Sequence, residues 1–486
     1  MAIQEESRLW RCVPWLGGIT LFAFMLYLYV HVMPVVAWNG DDWKYLSQFR
    51  DMFPSLTRWN PARILPEVLH PLVGWAVSVL YAFCGDYVQA LVWSHALLIA
   101  TGVTALGAAL HLALRGVLRD APIALFAVAF FMALSFSLLK SRATGNMFLF
   151  SSNLLTISTF YVLPNLLNSV VACGILYLHA AGARLCPPGS LRAGCCVLLL
   201  FLAQFSMTFG SALAATVAGW VVLLRLWRRP ETPLQAKIVA YARTGTFFDA
   251  LLVTTLAFWT LAAVLDINGG RYNRIQQTHW DFASAWQDFA GVLAQVNPAT
   301  CVVVILLVVA ACVHGARKRL GGAWREEDAR FVELIGVCVV SALTLACLDL
   351  LIAAKTIDRL AGSIHVVYNA VFCGVLAVTL CVCYLLRAAP RLALAAPLLL
   401  ALLFVECANA EKPWARQNPV EHAIVEQWIH DVRTAQERSE TAAVITVPKA
   451  EWPHPKESFG KFLSQTLFAH GVTMRRMDIT LREAGR

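Results

Sequence analysis

Two adjacent carboxylates, Asp41 and Asp42, stand in the segment Trp38-Asn39-Gly40-Asp41-Asp42-Trp43-Lys44-Tyr45. Keeping two carboxylates ionised side by side is costly. The pairing suits a general base whose neighbour orients it or holds a divalent cation, Mg2+ or Mn2+. It also suits an ordinary helix N-terminus, where acids offset the macrodipole. Further on, Arg58-Trp59-Asn60-Pro61-Ala62-Arg63-Ile64-Leu65 sets two guanidinium groups beside Trp and Asn. A guanidinium grips phosphate through a bidentate fork, and Trp offers a flat face to a sugar ring. Anchoring at a membrane interface is the competing use of the same residues.

The pattern recurs downstream. Lys140-Ser141-Arg142, Arg271-Tyr272-Asn273-Arg274, His279-Trp280-Asp281 and Lys355-Thr356-Ile357-Asp358-Arg359 each place polar and mostly basic groups between apolar stretches. Together they put cations on loops that can converge on an anionic headgroup, or simply touch lipid. Asp349 falls inside an apolar stretch, where an ionisable residue needs a partner, and Lys355 is near enough in sequence to be one.

The elements that must position these residues are membrane helices. Of 486 residues, 59% are apolar and 14% charged, and the mean hydropathy is +0.63. A soluble domain carries about 25% charged residues. The apolar residues come in runs long enough to cross a hydrocarbon core of about 30 Å. The runs 14–36, 88–113, 121–139, 161–181, 193–210, 211–227, 248–266, 297–314, 331–354, 366–386 and 392–409 predict an all-α polytopic protein with about eleven transmembrane helices. The first run has no small-residue cleavage site after it and reads as an uncleaved helix.

Charge then predicts orientation. The loops 1–13, 114–120, 182–192, 228–247, 315–330 and 387–391, with Arg225, hold 18 of the 39 Lys and Arg residues. The opposite loops 37–87, 140–160, 267–296 and 355–365 hold 10 over a greater length, and the tail holds 11. The positive-inside rule puts the first set and the N-terminus in the cytoplasm and the C-terminus outside. The net charge of +9 therefore reflects topology and implies no nucleic-acid partner. Most of the 14 cysteines lie in predicted spans and pack as small apolar groups. No P-loop, no GxGxxG after a strand and no HExxH occurs, so nothing points to nucleotide chemistry on the inner side.

Two regions depart from simple spans. In the outward loop 37–87, the stretch Leu65–Phe83 mixes Pro66, Glu67 and His70 with apolar residues and suits a helix lying in the interface. The chain divides into a membrane domain, 1–409, and a small C-terminal α/β module, 410–486. There Asn418-Pro419-Val420-Glu421 reads as a helix start, with Val420, Ile424, Trp428 and Val432 on one face. Ala442–Val447 reads as a strand, Glu457–Ala469 as a helix, and a last strand is expected from Val472.

A first span leading into an outward loop with Asp41-Asp42, a loop returning as an interfacial helix, about eleven spans and an outward C-terminal module resemble the GT-C glycosyltransferases. Within that class the likeness is to bacterial serotype-converting O-antigen glucosyltransferases, in which a DD motif precedes an Asn/Gly-Arg-aromatic or aliphatic segment that Asn60-Pro61-Ala62-Arg63-Ile64-Leu65 resembles. Pro61-Ala62 separates the Asn from the Arg here, and the later loops carry no familiar donor signature. The resemblance implies transfer of a hexose, glucose in the nearest relatives, from a polyprenyl-phosphate carrier such as undecaprenyl phosphate. The acceptor would be a periplasmic glycan such as O-antigen, and the stereochemistry inverting, at the outer face of a bacterial inner membrane. It makes Asp41 the general base and Asp42 its orienting or cation-binding neighbour. It assigns the carrier phosphate to Arg63 and some of Lys140, Arg142, Arg271, Arg274, Lys355 and Arg359. Trp43, Trp59, Asn60 and His279 are then candidates for touching sugar or acceptor. An O-antigen polymerase or ligase and a lipid-linked-sugar transporter are the rival expectations.

Overall fold

The computed structural model describes residues 8–47, 60–141, 145–150, 152–182, 190–231, 233–268, 279–356, 362–388, 412–448 and 456–483, with Leu399 and Leu403. Among them, nine helices are long and apolar enough to cross a membrane: Cys12–Val32, Pro61–Cys84, Tyr87–Leu118, Leu155–Ala181, Thr208–Trp227, Phe247–Ile267, Pro298–Leu320, Glu326–Lys355 and Ile364–Arg387. Two shorter apolar helices, Ala121–Ser137 and Leu191–Gln204, join them. The chain is a helical polytopic membrane protein. Its many exposed apolar side chains, such as Leu306, Leu343 and Trp227, are what a lipid-facing surface requires.

Contacts at the helix ends sort them onto two ends of the bundle. At one end Arg225 holds Asp249 through Nε and Nη2 (2.6 and 3.1 Å), Lys318 binds Asp328 (2.9 Å), His179 and Arg228 share Glu333, and Arg387 meets Glu327. This is the basic end. At the other, the Asn297 N–H donates to the Leu138 carbonyl (2.7 Å), Asp281 N–H to Ala354 (2.8 Å) and Leu65 N–H to Phe205 (3.0 Å).

Those contacts settle how Pro61–Cys84 lies. Length and composition alone admit it as a span. Yet Arg63, at its start, pairs with Asp266, at the far end of the helix that begins beside Asp249 on the basic end. Its last turn hands over through Gly85 (φ 72°) to Tyr87, and His95 on that next helix bonds Ser158, at the end opposite His179. Both termini of a helix about 30 Å long therefore sit at the same end of the bundle, and it runs across that end. The π-helical turns Leu28–Val32 and Ser158–Val162 fall at this end too.

Other boundaries differ from expectation. The predicted break between spans 193–210 and 211–227 lies earlier, at Phe205–Met207, between Leu191–Gln204 and Thr208–Trp227. The predicted loop 267–296 contains a helix, Phe282–Leu293, whose first turn is capped by the Asp281 carboxylate accepting from Ser284 N–H (3.0 Å). Leu139–Ser141 and Gly145–Met147 form an antiparallel hairpin that the sequence pattern does not announce. The expected span 392–409 falls outside the described residues apart from Leu399 and Leu403.

In the tail, Ala442–Val447 and Asp478–Glu483 pair in parallel, from Ala442↔Asp478 to Val447↔Glu483. A parallel pair needs a crossover, and the helix Lys456–Ala469 lies within that connection. The first strand alternates, with Ala443, Ile445 and Val447 inward. The preceding helix begins at Lys412, so Asn418 is interior to it. Pro419 therefore lies inside the helix, where its missing N–H removes one i→i−4 hydrogen bond and its ring crowds the carbonyl four residues earlier. The buried face is Val425, Trp428, Ile429 and Val432, while Val420 is 58% exposed. The last strand begins at Asp478, later than expected.

Candidate functional site at the polar end of the bundle

The helix Gly40–Leu46 separates the two neighbouring carboxylates into different roles. Asn39 is its N-cap: the Asn39 side chain accepts from Asp42 N–H (2.8 Å), and Asp42 Oδ2 accepts from Asn39 N–H (3.3 Å) and Trp38 N–H (3.0 Å). This is a reciprocal capping box. Asp42 Oδ1 accepts from the backbone N–H of Thr156 (2.7 Å) and from its hydroxyl. Asp42 is fully buried, and burial pushes its carboxyl above the usual range against the pull of these donors, Thr156 foremost. Asp41, one residue earlier on the same first turn, is exposed.

A cation does not fit Asp42, because each of its oxygens already faces hydrogen-bond donors. Among the described residues no three His, Cys, Asp or Glu side chains gather to hold a metal. Asp42 is therefore placed to orient the turn that carries Asp41.

Trp43 is completely buried and offers no open face to a sugar. Its carbonyl accepts from Thr466 Oγ1 (2.6 Å), and the Leu46 carbonyl accepts from His470 Nε2 (3.0 Å). Both donors belong to the tail. A carbonyl can only accept, so Nε2 carries the proton and Nδ1 accepts the Tyr87 hydroxyl (2.8 Å). Trp428 of the tail stacks on Trp38 with centroids 5.3 Å apart. The tail thus clamps the short helix. Beneath, His70 Nδ1 bonds Thr159 Oγ1 (2.8 Å) and its ring lies 5.2 Å from that of Tyr45.

Arg63 closes the 3-10 turn Pro61–Arg63, capped by the Asn60 side chain accepting from Ala62 N–H (3.0 Å). It is buried, with Nη2 3.6 Å from Asp266 Oδ1. Asn60 Nδ2 donates to the same oxygen (3.3 Å), and Thr208 Oγ1 to the other (2.7 Å). Glu67 lies within electrostatic range of both Arg63 and Lys44, which brings the two helices' charged groups together.

Of the remaining cations, the two that are described, Lys140 and Lys355, do not share one spot. Lys140 is exposed, and its N–H donates to Gln295, just past the C-terminus of the helix Phe282–Leu293. Lys355 sits over the Trp280 ring (5.6 Å), at that helix's start, where Asp281 N–H meets Ala354. A twelve-residue helix, about 18 Å, therefore lies between their anchor points. His279 is exposed beside Asp281, whose carboxyl the Ser284 hydrogen bonds hold below the usual range. Asp349 is buried with Oδ2 unpartnered, and Lys355 engages Trp280 in place of it. Trp59, Arg142, Arg271, Arg274 and Arg359 lie outside the described residues.

Sequence reasoning missed Thr156, Asp266, Thr208 and His470, each of which reaches this end from a distant part of the chain. Only Asp266 carried a signal, as an acid in the last turn of an apolar helix. A separate cleft of about 570 Å3 opens between the tail helix and the turn before Tyr87, lined by Asp86, Glu426, His430, Arg433 and Glu437. The exposed Asp41 is not part of it.

Compared with family models, curated proteins and solved structures, the chain matches none.

Proposed function

We propose that this chain is a GT-C-type glycosyltransferase that moves a hexose from a polyprenyl-phosphate carrier to a periplasmic glycan such as O-antigen. The observation that carries the reading is the division between Asp42, buried and clamped by Asn39, Trp38 and Thr156, and Asp41, exposed on the same turn. A general base needs a free carboxylate on a rigid support, and this turn supplies one. Asp41 takes the proton of the acceptor hydroxyl as that oxygen attacks the anomeric carbon, and the carrier phosphate leaves with the bonding electrons. Fixed positive charge stabilises the phosphate as it forms, and Arg63, buried at the polar end, is the group assigned to supply it. A single displacement of this kind inverts the anomeric centre.

In the same reading the basic end faces the cytoplasm of a bacterium, and the tail and Asp41 face the periplasm. Ten described helices other than the crossing one, with the run 392–409, supply the eleven spans. One observation favours the rival transporter: Asp349, a carboxylate buried in a span with an unpartnered oxygen.

The test is transfer from radiolabelled polyprenyl-phosphate hexose to a glycan acceptor by purified protein in detergent. Wild type and Asp41→Asn are compared, with Asp349→Asn as control. Transfer lost only in Asp41→Asn supports the reading. Transfer that survives in Asp41→Asn removes Asp41 as base, and absence of any binding to polyprenyl phosphate overturns the reading.

A further inference from the structure

The Arg63 guanidinium is buried at the polar end but incompletely paired. Its Nη2 stands 3.6 Å from Asp266 Oδ1, beyond the 2.7–2.9 Å or so of a charge-assisted hydrogen bond. Its Nε is buried with no hydrogen-bond partner. Burying such a donor unpaired costs free energy that an added acceptor recovers. Asp266, by contrast, is fixed without Arg63, by Asn60 on one oxygen and Thr208 on the other. The carboxylate is locked in place while the guanidinium is only loosely held by it. Among the described residues, Glu67 lies within electrostatic range of Arg63, and Lys44 within range of Glu67.

Resting on the reading of Arg63 as a phosphate-binding group, we propose that Asp266 is a positioning residue that serves as a resident counter-anion, from which an incoming phosphate takes the Arg63 guanidinium. Asn60 and Thr208 keep Asp266 from following the arginine, so the exchange is reversible. Asp266 then competes with bound phosphate at every turnover and favours release of the carrier phosphate left behind after transfer. A residue that merely supported the fold would behave differently: its loss would weaken binding. Loss of a competitor strengthens it.

The experiment is equilibrium binding of radiolabelled farnesyl phosphate to the full chain in detergent. Arg63→Ala, Asp266→Asn, Asp266→Ala and the double variant Arg63→Ala/Asp266→Asn are compared with wild type, and thermal unfolding checks folding. Asp266→Asn and Asp266→Ala are expected to bind about five- to tenfold more tightly, as loss of one competing charge-assisted contact implies. Arg63→Ala binds more weakly, and the double variant no more tightly than Arg63→Ala. Inorganic phosphate is the second probe. A gain with both probes means that the headgroup alone is read, a gain with farnesyl phosphate alone means that the lipid must be present, and either supports the exchange. Unchanged or weaker binding in both Asp266 variants overturns the proposal and leaves the phosphate role of Arg63 standing. So does a gain that persists in the double variant, because it does not pass through Arg63. Binding untouched by Arg63→Ala removes the phosphate role itself, and the exchange with it.

Discussion

Thr156 gives both its backbone N–H and its hydroxyl to a single oxygen of Asp42, a residue 114 positions earlier in the chain. The contact joins the short helix Gly40–Leu46 to the turn Leu155–Ile157, which leads into the π-helical turn Ser158–Val162 and the span that ends at Ala181. The next hydroxyls of that start reach two further elements, Ser158 to His95 and Thr159 to His70. One irregular segment thereby fixes the turn carrying Asp41 relative to two neighbouring helices. Single π-helical turns inside α-helices are frequent at functional sites.

The two carboxylates should separate cleanly under mutation. Asp42→Ala leaves the Trp38, Asn39 and Thr156 donors without their acceptor inside the protein, and a loss of about 2–4 kcal/mol is expected. Asp41→Asn changes an exposed side chain and should alter stability by less than about 0.5 kcal/mol. Thermal unfolding in detergent, read beside the transfer assay, checks the pair. Equal destabilisation by both substitutions would contradict the division of roles.

Asp42 also carries a pH signature. Its native pKa is raised by burial above the 3.8 of a free carboxyl, so the folded chain keeps the proton where the unfolded chain has lost it. The stability this contributes is full below the unfolded value and falls as pH rises through the native value. The melting-temperature advantage of wild type over Asp42→Asn should therefore narrow as pH is raised from about 4, then level off. An advantage that widens with pH would mean that the donors outweigh burial and the carboxylate ionises early.

The sequence made the membrane helices, the crossing helix after the first span and the tail's strand–helix–strand order legible, because apolar run length and periodicity report burial directly. It also drew attention to Asp41-Asp42. It could not say which of the two would be buried, since that depends on where Thr156 arrives. Lys140 and Lys355 look equivalent as basic residues after a span, yet they anchor near opposite ends of Phe282–Leu293, a helix whose capping Asp281 was visible only as part of a polar loop. Asn418-Pro419 misled in the other direction: a good local start signal was overridden by a helix already running from Lys412.

Gly460 tests the tail's internal packing. A Cβ at this position would lie 2.1 Å from the Ile479 carbonyl oxygen, a backbone atom of the last strand that cannot rotate away. Gly460→Ala should push that strand off the helix Lys456–Ala469 and cost about 1–3 kcal/mol. Hydrogen exchange is the direct readout, with protection expected to fall in Asp478–Glu483 and Ala442–Val447 while the membrane helices are unaffected. Unchanged protection in both strands would show that the helix shifts to accommodate the methyl group.

His470 links that tail to the helix carrying Asp41. It donates to the Leu46 carbonyl and accepts from the Tyr87 hydroxyl, joining the C-terminal helix, the Asp41 helix and the first turn of a membrane span. His470→Ala leaves both partners buried and unpaired, an expected loss of about 1–3 kcal/mol. If the clamp positions Asp41, the rate constant for transfer should fall while affinity for polyprenyl phosphate, which the proposal assigns to Arg63, stays the same. His470→Gln, which can still donate to one partner and accept from the other, should recover part of the rate. Affinity falling in step with rate would instead mean that the tail supports the whole polar end, and no recovery by glutamine would mean that the imidazole is needed for more than these two hydrogen bonds.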